Sequence, residues 1–350
     1  MTWDLAGIGN SLVDALVVVD NDDVLHELGL VRGTMHPVDH DRWMVAYERL
    51  RHHKIAFDSG GSGANTIATA GLMGARATYC GQVGDDQMGH MYAAKIEEAC
   101  GNHALRFSTE RATGKCLSII SAKDAERTML TDLGAATELA DFGSFEGALR
   151  SSKIVHFTGY ELLGGPMTGT VTRAMQVVKD AGGRVSFDAS DPFVIRAIRD
   201  TVWNTLTDFA DIAFLNAEEA RALTDDEPER AVVVIAEKAN LRTVIVKLGA
   251  QGSLVRHEGV TYEIPVRWVK AMDTTGAGDA YAGGFLYGVV RGFSPSDCGR
   301  LASAIAALTV GQIGAVFKDR AALAAIVAEF PTHPAPKTAT PAGAPVVGSV

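Results

Sequence analysis

Between Asp273 and Phe285 the chain reads DTTGAGDAYAGGF, a run of small residues leading straight into a helical pattern. Gly276, Ala277 and Gly278 would leave their backbone N–H groups unobstructed at the positive end of a helix dipole, a setting that suits an anionic phosphate. Asp279 follows in the first helical turn. A carboxylate there can accept the proton of an attacking hydroxyl while the amides stabilise charge on the group in transfer. The combination is phosphoryl-transfer chemistry. The same residues also suit a plainer role, a glycine turn followed by an acid that favours the helix dipole.

The last third of the chain holds two strongly helical stretches, 277–291 and 295–310, dense in Ala and Gly and so able to pack closely. Strand-like runs recur at 154–158, 184–188, 211–215 and 243–248, with helix-like stretches between them, the rhythm of βα units in one doubly wound sheet with helices on both faces. The opening run 3–20 reads as strands around Gly7 and Gly9. Helical patterns follow at 39–52 and 64–72, with a strand at 77–83. Two short strands joined by a polar turn near Lys123 and Asp124 predict a small antiparallel insertion within 105–133. The expected organisation is one α/β domain over residues 1–330, with a β lid formed by parts of 10–40 and 105–135. A Pro/Ala/Gly-rich tail at 331–350 cannot bury a core and is expected to be flexible.

Composition narrows the partners. Hydrophobic residues make up 47% and charged residues 21%, as in globular proteins with a full core. With 32 Lys and Arg against 42 Asp and Glu, the net charge of −10 opposes binding to nucleic acid or anionic lipid. The start of the sequence has no basic region before an apolar core, and no run of eighteen apolar residues occurs, so a cytoplasmic protein without membrane contact is expected. Cys80, Cys100, Cys116 and Cys298 lack the close paired spacing of zinc or redox motifs and read as reduced thiols.

Residues 273–279 resemble the DTxGAGD signature of the ribokinase-like, or PfkB, kinases, and further matches follow in that family's order over roughly residues 3–330. The resemblance implies that Asp279 is the catalytic base, that Gly276 to Gly278 form the anion hole, and that Asp273 adjoins a site for a monovalent cation such as K+. GNSLVD (9–14), with Asn10, Leu12 and Asp14, resembles the substrate motif whose aspartate bonds two sugar hydroxyls; such an aspartate also suits a turn or strand end. GGSGAN (60–65) resembles the motif in which Gly60 and Gly61 let the backbone approach the acceptor beside Ser62 and Asn65. NAEE (216–219) resembles the motif that helps place Mg2+ through water at Glu219, and equally reads as a capped acidic helix start. KLGAQG (247–252) occupies the place of the nucleotide loop. With Asn216 and Thr275, its Lys247, Gly249 and Gly252 are the implied ATP contacts, Lys247 being also explicable as a solvated strand end. GQVGDDQMG (81–89) matches a further signature, with Asp85 and Asp86 as helix caps.

Ser62 stands where sugar-phosphorylating members carry lysine, and adenosine-phosphorylating members have serine. TGKC (113–116), DASDPFV (188–194) and Arg127, which aligns with an arginine near the transferred phosphate, point the same way. Glu161 in TGYEL points toward the sugar branch, while Leu12, Met35 and Tyr160 would wall a flat base or simply belong to the core. The expectation is ATP- and Mg2+-dependent phosphorylation of a primary hydroxyl on a ribose-containing small molecule, the adenosine 5′-OH first and a ribokinase- or fructokinase-type sugar next, by a monomer or homodimer. Two remote readings remain. GIGNSL suggests a dinucleotide-dependent oxidoreductase, although Leu12 stands at the third glycine position. A nucleotide sensor without catalysis would have no use for Asp279. No Walker A or protein-kinase HRD motif occurs.

Overall fold

Runs such as IAFLN and TVIVK are apolar without alternation, the pattern of strands covered on both faces, and both are buried almost throughout. The computed structural model describes residues 2–124 and 126–330; the expected tail lies outside them. In chain order its strands are β1 (Trp3–Ile8), β2 (Leu12–Val19), β3 (Met35–Pro37), β4 (Ile55–Gly60), β5 (Ala77–Gly84), β6 (Ala104–Ser108) and β7 (Gly114–Ser121). Then follow β8 (Arg127–Asp132), β9 (Ser152–Thr158), β10 (Arg184–Asp188), β11 (Ile212–Asn216), β12 (Thr243–Lys247), β13 (Ser253–His257) and β14 (Val260–Ile264).

The large sheet has the order β14-β13-β12-β11-β10-β9-β1-β5-β6. It is parallel from β12 to β6, with β13 and β14 added as an antiparallel hairpin. One core lies between one face and the helices Ser62–Leu72, Gln87–Cys100, Ala277–Arg291 and Pro295–Val310, and a second fills the opposite face. Glycine sets the closeness of the first layer. A β-carbon at Gly283 would meet the Thr66 carbonyl oxygen at 2.6 Å, and one at Gly288 would meet Cys298 Sγ at 2.9 Å. The Ala277 helix is thereby held tightly between the Ser62 and Pro295 helices.

A second sheet, β3-β8-β7-β2-β4, has its own core against the helices Asp23–Glu27 and His40–Leu50. This corrects the small antiparallel insertion. The pairs β7/β8 and β2/β4 are antiparallel, but β2/β7 and β3/β8 are parallel, and β4 is a strand that sequence patterning did not reveal. Because β1 runs through the turn at Gly9 into β2 and not into a helix, the dinucleotide-binding unit suggested by GIGNSL is absent. Asp86 caps the Gln87 helix through the Gly89 amide, as expected, and also binds the Thr113 amide and hydroxyl at the start of β7. No helix among the described residues is long and apolar enough to cross a membrane.

Candidate active site

The Ala277 helix begins at Gly276, whose φ of +69° belongs to the left-handed region. A β-carbon at Gly276 would also lie 2.3 Å from the Ala315 carbonyl oxygen, so only glycine fits. No side chain caps this helix among the described residues, and its first amides face a cleft of about 720 Å3 lined by Gly276, Ala277, Gly278 and Asp279. Asp279 is held from two sides: its Oδ1 accepts the Ser62 hydroxyl at 2.7 Å and its Oδ2 accepts the Asn65 amide at 2.9 Å. Burial raises its pKa above the usual carboxylate range, against the lowering effect of those two bonds.

The glycine pair at the end of β4 shapes the acceptor side. A β-carbon at Gly60 would sit 2.3 Å from Asp14 Oδ2, and one at Gly61, where φ is +92°, would sit 2.1 Å from the Asn10 carbonyl oxygen. Asp14 therefore lies over bare backbone. Desolvation pushes its pKa up to about 7, opposed by Arg127 and reinforced by Asp58, Asp279 and Asp273, so these charges share one neighbourhood. Asn10 Oδ1 and Asn65 Oδ1 are buried without a protein partner, which leaves acceptors for hydroxyl donors. Cross-strand register sets Asp58, Asp14, Cys116 and Thr131 on one rung. Leu12 covers Gly114, where a β-carbon would meet Leu12 Cδ2 at 2.6 Å.

On the opposite side the cleft runs along the carboxyl ends of β10, β11 and β12, the usual location of ligands in open parallel sheets. Lys247 is no solvated strand end. Its Nζ donates to Asp188 Oδ2 at 2.8 Å, and a β-carbon at Gly278 would lie 3.1 Å from it. Asn216 and Glu219 form a reciprocal capping box at the start of the helix Ala217–Thr224, and both line the cleft. Burial, then Asp188, raises Glu219 to about 8, with Lys247 acting in the opposite sense. With Asp188 it presents oxygen donors of the kind a hard divalent cation takes through water. Gly249 lines the cleft at φ +59°, and Gly252, at φ +95°, closes against the Ile264 carbonyl oxygen.

Thr275 and Glu161 sit otherwise than anticipated, and Asp273 has protein partners of its own. Thr274 lines the cleft, whereas the Thr275 amide and hydroxyl turn onto Asp273 Oδ1. Asp273 also accepts the Gly314 amide at 3.0 Å and faces Arg127 Nε at 3.8 Å, so its oxygens order the loop before the helix. Glu161, 3% exposed, takes the Thr158 amide and hydroxyl on Oε2 and the Asn10 amide on Oε1, which ties the β9 end to the β1–β2 turn. Tyr160 and Arg127 line the cleft beside Asp188. Asp188 lies within DASDPFV, and its pairing with Lys247, 59 positions away, becomes visible only with the sheet order.

The sheet order, the second β layer and the cleft at the strand ends define a ribokinase-like fold, and likeness to known kinases makes the chain a small-molecule kinase. A family model described as "pfkB family carbohydrate kinase" matches residues 34–321, and the chain belongs to that family. Among solved structures it is similar to the adenosine kinase from Sinorhizobium meliloti (31% identity, TM-score 0.82, covering 94% of this chain and 99% of that one). It is also similar to a probable sugar kinase from Rhizobium etli CFN 42 (27%, TM-score 0.85, 94% and 98%). Fructokinase-1 of Oryza sativa subsp. japonica is 26% identical over 286 residues, covering 73% of this chain and 84% of the relative.

Proposed function

We propose that this kinase transfers the γ-phosphoryl group of Mg-ATP to the primary hydroxyl of a ribose-containing small molecule, the 5′-OH of adenosine before any sugar. The observation that carries the proposal is Asp279, half-buried at an uncapped helix start and held by Ser62 and Asn65 in the cleft it shares with Lys247. Its raised proton affinity suits a group that must take a proton. The amides that begin the Ala277 helix, with Lys247 and Arg127, gather negative charge on the transferred group. Asp14 would hold the ribose hydroxyls, with the buried oxygens of Asn10 and Asn65 accepting further bonds. Asn216, Glu219 and Asp188 would hold Mg2+ through water, and the ion supplies charge neutralisation on the phosphates. The small sheet would serve as a lid, excluding water as a competing acceptor.

Two observations support a nucleoside over a sugar. Ser62 holds the Asp279 carboxylate, so the position that distinguishes the branches takes part in the site directly. Glu161, the residue that pointed toward sugars, has its carboxylate occupied by its own turn and by Asn10. The likeness to the Rhizobium etli sugar kinase and to a fructokinase keeps a sugar acceptor as the second reading. ADP release measured with adenosine, other nucleosides, ribose and fructose separates them. Adenosine turnover with negligible sugar turnover is expected; sugar turnover without nucleoside turnover would overturn the proposal.

A further inference from the structure

The same cleft that is lined by Lys247 and Gly278 is also lined by Val266, Trp268, Val269, Ala306, Ala307 and Val310, so one space brings cationic and amide groups together with apolar walls. Such a lining suits a ligand that carries both phosphates and a flat, weakly polar body. Trp268 stands out at its rim: it lines the cleft yet is 83% exposed, the most exposed of the large hydrophobic side chains among the described residues.

The segment that carries Trp268 is fastened on both sides of it. The Arg267 amide donates to Ser303 Oγ at 3.0 Å, that hydroxyl donates to the Pro265 carbonyl at 3.1 Å, and the Met272 amide donates to the Val310 carbonyl at 2.8 Å. The Arg267 guanidinium also pairs with Glu329 at 2.9 Å. The strap is thus anchored to the Pro295 helix while its indole is left uncovered. An aromatic face fixed at the mouth of a phosphate-binding cleft offers a stacking surface to any planar base, and purines give the larger overlap.

We propose that Trp268 is the stacking platform for the purine base of the phosphate donor and sets the donor's base preference. The proposal rests on reading the cleft as the nucleotide site. The chain has four tryptophans, of which Trp43 is 0% and Trp203 9% exposed and Trp3 is partly buried, so solvent quenchers report chiefly on Trp268.

The test uses the whole chain without acceptor, with three probes: Mg-ATP, Mg-UTP and inorganic tripolyphosphate with Mg2+. Mg-ATP should change tryptophan emission saturably and shield it from acrylamide, whereas tripolyphosphate, which has no base, should bind without that change. The signal should vanish in Trp268→Phe. By calorimetry, Trp268→Ala should weaken Mg-ATP about tenfold or more, the loss expected for one base–aromatic stack. Mg-UTP should weaken less, tripolyphosphate less than twofold, and Trp268→Phe should keep most of the ATP affinity. Equal emission changes with ATP and tripolyphosphate, or native ATP affinity in Trp268→Ala, would overturn the stacking role alone. No Mg-ATP binding by the native chain would overturn the nucleotide cleft and the stacking role together.

Discussion

Adjacent glycines at the end of β4 should fail in opposite ways when each is given one methyl group. In Gly60→Ala the new β-carbon would lie 2.3, 2.4 and 2.6 Å from Asp14 Oδ2, Cγ and Oδ1, all atoms of one side chain that can rotate aside. Gly60 has no left-handed φ, so alanine adds no backbone strain there. The stability cost is the off-rotamer carboxylate, about 1 kcal/mol. The functional cost is expected to be larger, because a displaced Asp14 would lose its proposed bonds to acceptor hydroxyls. At roughly 1.5–3 kcal/mol for a hydrogen bond to a charged group, kcat/KM for the acceptor should fall by about tenfold to a hundredfold or more. Mg-ATP affinity should stay within about threefold. In Gly61→Ala the β-carbon would meet the Asn10 carbonyl oxygen at 2.1 Å, a backbone atom that cannot swing away, at a φ of +92°. Left-handed strain of about 1–2 kcal/mol and overpacking of about 1–3 kcal/mol together give a loss of roughly 2–5 kcal/mol. Steady-state kinetics and urea unfolding of both variants decide the matter. Native acceptor kinetics in Gly60→Ala, or native stability in Gly61→Ala, would refute the assignment of Asp14 to the acceptor and of Gly61 to the strand junction.

Two further outcomes follow from the buried acids. Asp14 and Glu161 are held up at about 7 and Glu219 at about 8, chiefly by desolvation, so between pH 6.5 and 8 the folded chain retains protons that the unfolded chain has already released. Stability should therefore fall as pH rises through that window, and fall less steeply in Asp14→Asn; urea unfolding that gains stability from pH 6.5 to 8 would contradict it. The depressed His156, held near 4 by burial, acts with the opposite sign, mainly below pH 7, where the unfolded imidazole is still partly protonated. Glu161→Gln places an amide against donors from Thr158 and Asn10, and should cost about 2 kcal/mol in unfolding free energy or more. It should leave the adenosine-to-sugar ratio of kcat/KM within about threefold; a switch of acceptor class would return Glu161 to the acceptor pocket.

What could be read from residues alone depended on how local the determinant was. The Ala277 and Pro295 helices were legible because their small residues, and for the latter an N-terminal proline, are contiguous, and β9 to β12 because strands buried on both faces are plainly apolar. β4 was not, since FDSG places polar and flexible residues at its end. The hairpin of β13 and β14 turns at Glu258 and Gly259, both at positive φ, a weaker signal than Asn-Gly. Within the site, Asp279, Gly276 and Lys247 were found because glycine spacing announces them. The Asp188–Lys247 pair and the rung joining Asp14 to Asp58, Cys116 and Thr131 arise only when distant strands align. Thr274 and Thr275 differ by one step of the loop, and only the backbone path tells which faces the cleft.

In the proposed reaction the Asp279 carboxylate, held by Ser62 and Asn65 beside the open helix start, takes the acceptor's proton. Asp279→Asn keeps the size and most of the hydrogen bonding of the side chain while removing the base. Steady-state turnover with Mg-ATP and the preferred acceptor should fall at least about a hundredfold while calorimetric Mg-ATP affinity stays within about threefold. Turnover within tenfold of the native value would contradict it.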